Sequence, residues 1–70
     1  MQNIKLTLKA ARVNRGLTQK ETAKKLGISE STLFNYEKGK TLPNSEIIYR
    51  MSKLYDINYN YLVFPPKNTN

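Results

Sequence analysis

Residues 18–39, TQKETAKKLGISESTLFNYEKG, constrain the fold of this chain more than any other stretch. Thr18 can N-cap a helix, and Glu21 three residues on completes a capping box, in which each side chain satisfies the other's free backbone N–H. Gly27 supplies the left-handed residue that ends this helix, and Ser29 caps the next. Gly39 ends the second. Ala23, midway along the first, is small enough to let the second cross it closely. The segment reads as two short helices with a tight turn between them.

Similar punctuation organises the rest. Leu6, Ala10, Val13 and Leu17 recur at helical spacing, with Lys5, Lys9, Arg12 and Arg15 on other faces. A first helix is therefore expected from Ile4 or Leu6 to Arg15, closed by Gly16. In the central pair Leu26 and Ile28 bracket the turn, and Leu33 and Tyr36 point inward. The stretch KGKTLPN is a basic loop stopped by Pro43. Asn44 can cap a fourth helix whose apolar set is Ile47, Ile48, Met51, Leu54 and Tyr55. Ile57 returns to the core, Asn58 is expected to cap a final turn carrying Leu62, and Pro65 and Pro66 end regular structure. This organisation is an all-α domain over residues 1–64 with a flexible tail over 65–70.

Charge narrows the possible partners. Twelve Lys and Arg face five Asp and Glu, a formal charge of +7 on 70 residues. On so small a chain that field attracts phosphate or an anionic membrane surface. A chain of this size buries only about 60% of the area that its unfolded form exposes, so modest stability is expected. The sequence has no cysteine and no histidine. Disulfides are thereby excluded, a zinc site is not expected, and no cofactor is signalled. Neither a Gly-rich phosphate loop nor an evident carboxylate pair points to an enzyme. The longest apolar run, Tyr61 to Phe64, is far short of the ~20 residues that span a bilayer. The N-terminus lacks a signal peptide's apolar core, and the glycine breaks leave no long amphipathic helix for a membrane surface. A soluble, cytoplasmic protein is expected.

Two short helices joined by a turn of about 3–4 residues form a helix-turn-helix, whose second helix can lie in the DNA major groove. Beyond the motif, residues 6–63 resemble the Cro/repressor-type (Xre-like) helix-turn-helix family of phage and bacterial regulators. The resemblance rests on Arg12, Gly16-Leu17-Thr18-Gln19, Ala23, Leu26-Gly27-Ile28-Ser29, Tyr36-Glu37-x-Gly39, Pro43, and the closing Lys53-Leu54-Tyr55-Asp56-Ile57 with Leu62. It implies a lambda-repressor-like bundle of about five short helices that binds double-stranded DNA as a homodimer, at an inverted-repeat operator. It also implies that Arg12 and Glu37 pair across the first and third helices, a structural tie rather than a DNA contact. Thr22 departs from the pattern, which usually carries leucine there, and suggests a looser core or compensation by a neighbour.

With Ser29 as cap, Ser31, Phe34, Asn35 and Lys38 project from the side of the third helix opposite Leu33 and Tyr36, with Glu30 beside them in its first turn. The plain reading is a solvated helix face; the sharper one is the row that meets base edges. Asn35 suits adenine, and Ser31 suits several bases. Glu30 either accepts a hydrogen bond from cytosine N4 or simply suits the positive end of the helix. Phe34 either presses on a thymine methyl or, the expected outcome, folds sideways against the second helix or the next loop. In similar proteins Gln19 meets the phosphate backbone, as do residues at the positions of Lys38, Lys40 and Thr41. Ser29 completes this candidate DNA-binding set. Lys20, Lys24 and Lys25 either add to the field or keep the domain soluble.

The rival is a protein-binding module on the same scaffold, antitoxin-like or an adaptor, whose main partner is another protein. Glu30 and Phe34 on the reading face favour it; the charge of +7 weighs against it. Tyr49, Tyr55, Tyr59, Tyr61 and Phe64 crowd the C-terminal third, and any left outside the core would form a patch suited to self-association.

Overall fold

The computed structural model describes residues 4–65. Four α-helices run in order: α1 (Leu8–Asn14), α2 (Gln19–Leu26), α3 (Glu30–Lys38) and α4 (Ser45–Tyr55). A single 3-10 turn follows at Tyr59–Tyr61. Strands β1 (Leu6–Thr7) and β2 (Leu62–Val63) pair in parallel, with Leu6 opposite Leu62 and Thr7 opposite Val63. The helical bundle stands as expected, with four α-helices and a 3-10 turn in place of about five helices. Of the tail expected over 65–70, all but Pro65 lies outside the described residues.

Local chemistry sets the central helices. Thr18 Oγ1 accepts from the Glu21 N–H at 3.0 Å, and Glu21 Oε1 accepts from the Thr18 N–H at 2.9 Å, closing the capping box. Ser29 Oγ accepts from the Thr32 N–H at 3.0 Å, and Asn44 Oδ1 from the Ile47 N–H at 2.9 Å. Gly27 ends α2 at φ +74°, a conformation that costs other residues, and its N–H and that of Ile28 return to the Lys24 and Ala23 carbonyls. The turn between α2 and α3 is thereby fixed by backbone geometry and one capping hydroxyl.

The first helix departs from expectation. It starts at Leu8, not at Ile4 or Leu6, because Thr7 is its cap: Thr7 Oγ1 accepts from the Ala10 N–H at 3.0 Å. Leu6 and Thr7 are extended instead, held by the ladder to β2. The buried face shifts accordingly. Leu8, Ala11 and Arg12 are enclosed, Leu6 and Leu17 pack at the margin, and Val13 is 57% exposed. Arg12, placed on an outer face by spacing alone, is therefore inside. Leu62 likewise belongs to β2 rather than to the final turn, and is buried there.

The core is one cluster of Leu8, Ala11, Ala23, Leu26, Leu33, Met51, Tyr55 and Leu62. Ile28, Tyr36, Ile47, Leu54 and Ile57 close its edges. Each enclosed leucine contributes about 1.5–3 kcal/mol. Thr22, the departure from leucine, is fully enclosed. Arg50 of α4 reaches across to cap α2: its Nη1 donates to the Leu26 carbonyl at 3.3 Å, while Nη2 pairs with Glu46 at 2.7 Å.

Candidate nucleic-acid interface

One carboxylate ties α1, α2 and α3 together. Glu37 Oε2 accepts from Arg12 Nε at 2.7 Å, and Oε1 accepts from Arg12 Nη2 at 3.2 Å and Gln19 Nε2 at 3.0 Å. The two charged side chains are 9% and 4% exposed, so their attraction is little screened. Arg12 Nη1 also donates to the Leu17 carbonyl at 2.8 Å, which fastens the α1–α2 connection to the same point. The pair implied by the family resemblance is present. Only an amide N–H can meet a carboxylate, so Glu37 also orients the Gln19 amide, whose Oε1 takes no hydrogen bond among the described residues. Beneath the clamp lies Tyr55. Its phenol is buried without a partner among the described residues, and burial, reinforced by the Glu37 carboxylate, pushes it up, so it stays neutral.

The clamp holds α3 with Leu33 fully inside and Tyr36 half-buried. On the far side, Glu30, Ser31, Phe34 and Lys38 are exposed and Asn35 is half-buried. Residues at i and i+4 are neighbours on a helix, so this face has two rows: Glu30, Phe34 and Lys38 in one, Ser31 and Asn35 in the other. Phe34 does not fold into the core; its ring is 41% exposed, and the Lys38 ammonium sits 5.5 Å from the ring centroid.

The Glu30–Phe34–Lys38 row lines a concavity together with Thr18, Gln19 and Lys20 at the start of α2. Lys9 of α1 and the Arg12–Glu37 pair line the same depression. That pair neutralises itself, so the local field comes from Lys9, Lys20 and Lys38 against Glu30. Lys40 and Thr41 are exposed in the loop after α3, where the Lys40 N–H donates to the Asn35 carbonyl at 2.9 Å. Lys24 and Lys25 lie in the last turn of α2 and do not line the concavity. Ser29 is occupied as a cap: its hydroxyl also donates to Thr32 Oγ1 at 2.8 Å and lies 3.2 Å from Ser31 Oγ. Among the described residues no three acidic side chains gather where they would hold a metal ion.

Sequence reasoning missed Lys9, which carries no local signal; only the crossing of α1 over the α2–α3 pair brings it to the concavity. It missed Arg50 for the same reason.

A family model described as helix-turn-helix matches residues 8–62. The chain belongs to that helix-turn-helix family. Over 56 residues it is 41% identical to the HTH-type transcriptional regulator ImmR of Bacillus subtilis, a match covering 80% of this chain and 44% of that protein. Over 54 residues it is 37% identical to an uncharacterised HTH-type transcriptional regulator of Methanocaldococcus jannaschii, covering 77% and 82% respectively. The cryptic phage CTXphi transcriptional repressor RstR of Vibrio cholerae is 37% identical over 46 residues, covering 66% of this chain and 41% of the repressor. The matched stretch thus spans less than half the length of the Bacillus and Vibrio proteins. No solved structure gives a significant match.

Proposed function

We infer that this chain is a sequence-specific, double-stranded DNA-binding transcriptional regulator of phage or mobile-element type, acting in the cytoplasm as a homodimer on an inverted-repeat operator. The observation that carries the reading is the division of α3: Leu33 and the Glu37 clamp anchor one side, while Glu30, Ser31, Phe34, Asn35 and Lys38 lie outward beside lysines from α1 and α2. In this reading α3 lies in the major groove, with Asn35 and Ser31 on base edges and Glu30 on a cytosine amine. Gln19, at the first turn of α2, takes a phosphate through the free N–H groups of that helix end. Lys38 in the last turn of α3, with Lys40 and Thr41 in the loop after it, grips the DNA backbone, and Ser29 serves by fixing where α3 begins. Two such helices in a dimer enter grooves about 34 Å apart. The kinship with ImmR and RstR, both named transcriptional regulators, supports the same reading.

Selection from a randomised duplex library at about 0.15 M salt, near physiological screening, tests it. The expected result is an enriched inverted repeat with half-sites one helical turn apart. If a dimer neutralises about 8 phosphates, log K falls against log salt with a slope near −7. Salt-sensitive binding with no enriched sequence would overturn it in favour of a protein-binding module, the reading that the exposed Phe34 ring favours.

A further inference from the structure

We propose that Phe34 is a specificity-determining residue that recognises the C5-methyl group of a thymine at one position in each half-site, an inference that rests on α3 entering the major groove. The ring is not core: it is 41% exposed and stands outside the enclosed cluster. Nor is it an isolated apolar side chain on a wet surface, because it lines a concavity shared with Lys9, Lys20 and Lys38. An aromatic ring rimmed by three lysines and a single unpaired carboxylate, Glu30, keeps a net positive edge and fits a ligand that is polyanionic at its edges and apolar at its centre.

Duplex DNA has that profile in one groove. Phosphates flank the major groove, and the thymine C5-methyl is the apolar group on its floor. The other base edges there present donors and acceptors that a benzene ring cannot satisfy, and covering them desolvates polar groups without return. An apolar protein surface is the poorer fit, since docking it here strips water from Lys9, Lys20 and Lys38 with no anion to meet them. The two rows of α3 divide the work. Ser31 and Asn35 offer hydrogen bonds, whereas Phe34 offers none and discriminates only by excluding water from a methyl group.

Deoxyuridine differs from thymidine by that methyl alone, so it isolates the contact. Each thymine of the selected operator is replaced singly by deoxyuridine and binding is measured with the full chain. Wild-type binding should weaken about fourfold at one position per half-site, and about fifteenfold with both half-sites changed, the loss expected for one buried methyl group each. Phe34→Ala should lose the same affinity on the thymine operator and be indifferent to deoxyuridine at that position, with an unchanged melting curve. Asn35→Ala should bind more weakly yet keep the deoxyuridine sensitivity. A flat deoxyuridine scan on an enriched operator would overturn the role of Phe34 and leave the DNA-binding reading standing. A sensitive position that Phe34→Ala retains would do the same. If no sequence is enriched, both fall together.

Discussion

Replacing Thr22 by valine should stabilise this domain by about 1–3 kcal/mol. Thr22 lies on the inner face of α2 with none of its surface exposed, and its Oγ1 has no hydrogen-bond partner among the described residues. An enclosed hydroxyl that gives up water and gains nothing carries its full desolvation penalty, which the valine removes. Valine has the same shape and branching and nearly the same helix propensity, so neither packing nor backbone should be disturbed. The new methyl adds favourable burial of up to about 0.8 kcal/mol. For a domain of this size each kcal/mol raises Tm by about 4–8 °C, readily read by circular dichroism. Thr22→Leu, the residue usual in similar proteins, should instead cost about 1–3 kcal/mol, the usual cost of forcing an extra carbon into an enclosed position. An unchanged or lowered Tm in the valine variant would refute the reasoning, since it would mean that the hydroxyl is satisfied in solution. A leucine variant more stable than valine would show that the site is not closed.

Three further outcomes follow from the geometry. Arg12→Ala and Glu37→Ala should each cost about 3–5 kcal/mol by stranding a buried charge, and the double variant should cost no more than either; additive losses in urea unfolding would mean the clamp is not a unit. Asp56 closes α4 at φ +54°, a strained position for a residue with a Cβ, so Asp56→Gly should raise the urea midpoint, worth about 0.5–1 kcal/mol, with an unchanged slope. The hydrogen bonds from the Thr18 backbone and hydroxyl hold the Glu21 carboxyl below its ordinary 4.5. Its folded pKa is depressed, so the stabilisation is complete above 4.5 and is lost as pH falls through the lowered value. Wild type should therefore lose more stability than Glu21→Gln between pH 5 and the acid limit; parallel acid profiles would count against the box.

What was legible in the chain was what is decided within a few residues. Thr18 with Glu21, Ser29 and Asn44 announce helix starts because the cap and the N–H it satisfies are about three positions apart, and Gly27 announces an end because its own backbone supplies the geometry. The phase of α1 was not legible. Leu6 and Leu8 are equally apolar, and the choice between them is made by a ladder to Leu62, at the other end of the fold. A two-residue strand has no periodicity to detect. Arg12 looks like any other basic residue in that helix, and only its partner Glu37, folded against it from α3, makes it interior; the family resemblance supplied that pair where spacing could not. On the candidate interface the outward row of α3 was readable from helical spacing. Lys9 was not, because its place depends on how α1 crosses the motif. For Phe34 the local pattern could not separate packing beside α2 from exposure, and the ring, 41% exposed, lines a depression with the start of α2 while staying outside the core.

The clamp on Glu37 has a consequence for how such a domain can be repurposed. α3 is fastened through Leu33, Tyr36 and Glu37, while Glu30, Ser31, Phe34 and Lys38 contribute no enclosed area to the cluster that keeps the chain folded. Holding and, in the proposed function, reading are thereby assigned to different sides of one nine-residue helix. The outward positions are interchangeable as far as the scaffold is concerned, so lineages diverging from this chain are free to change that surface one side chain at a time, without passing through an unfolded intermediate.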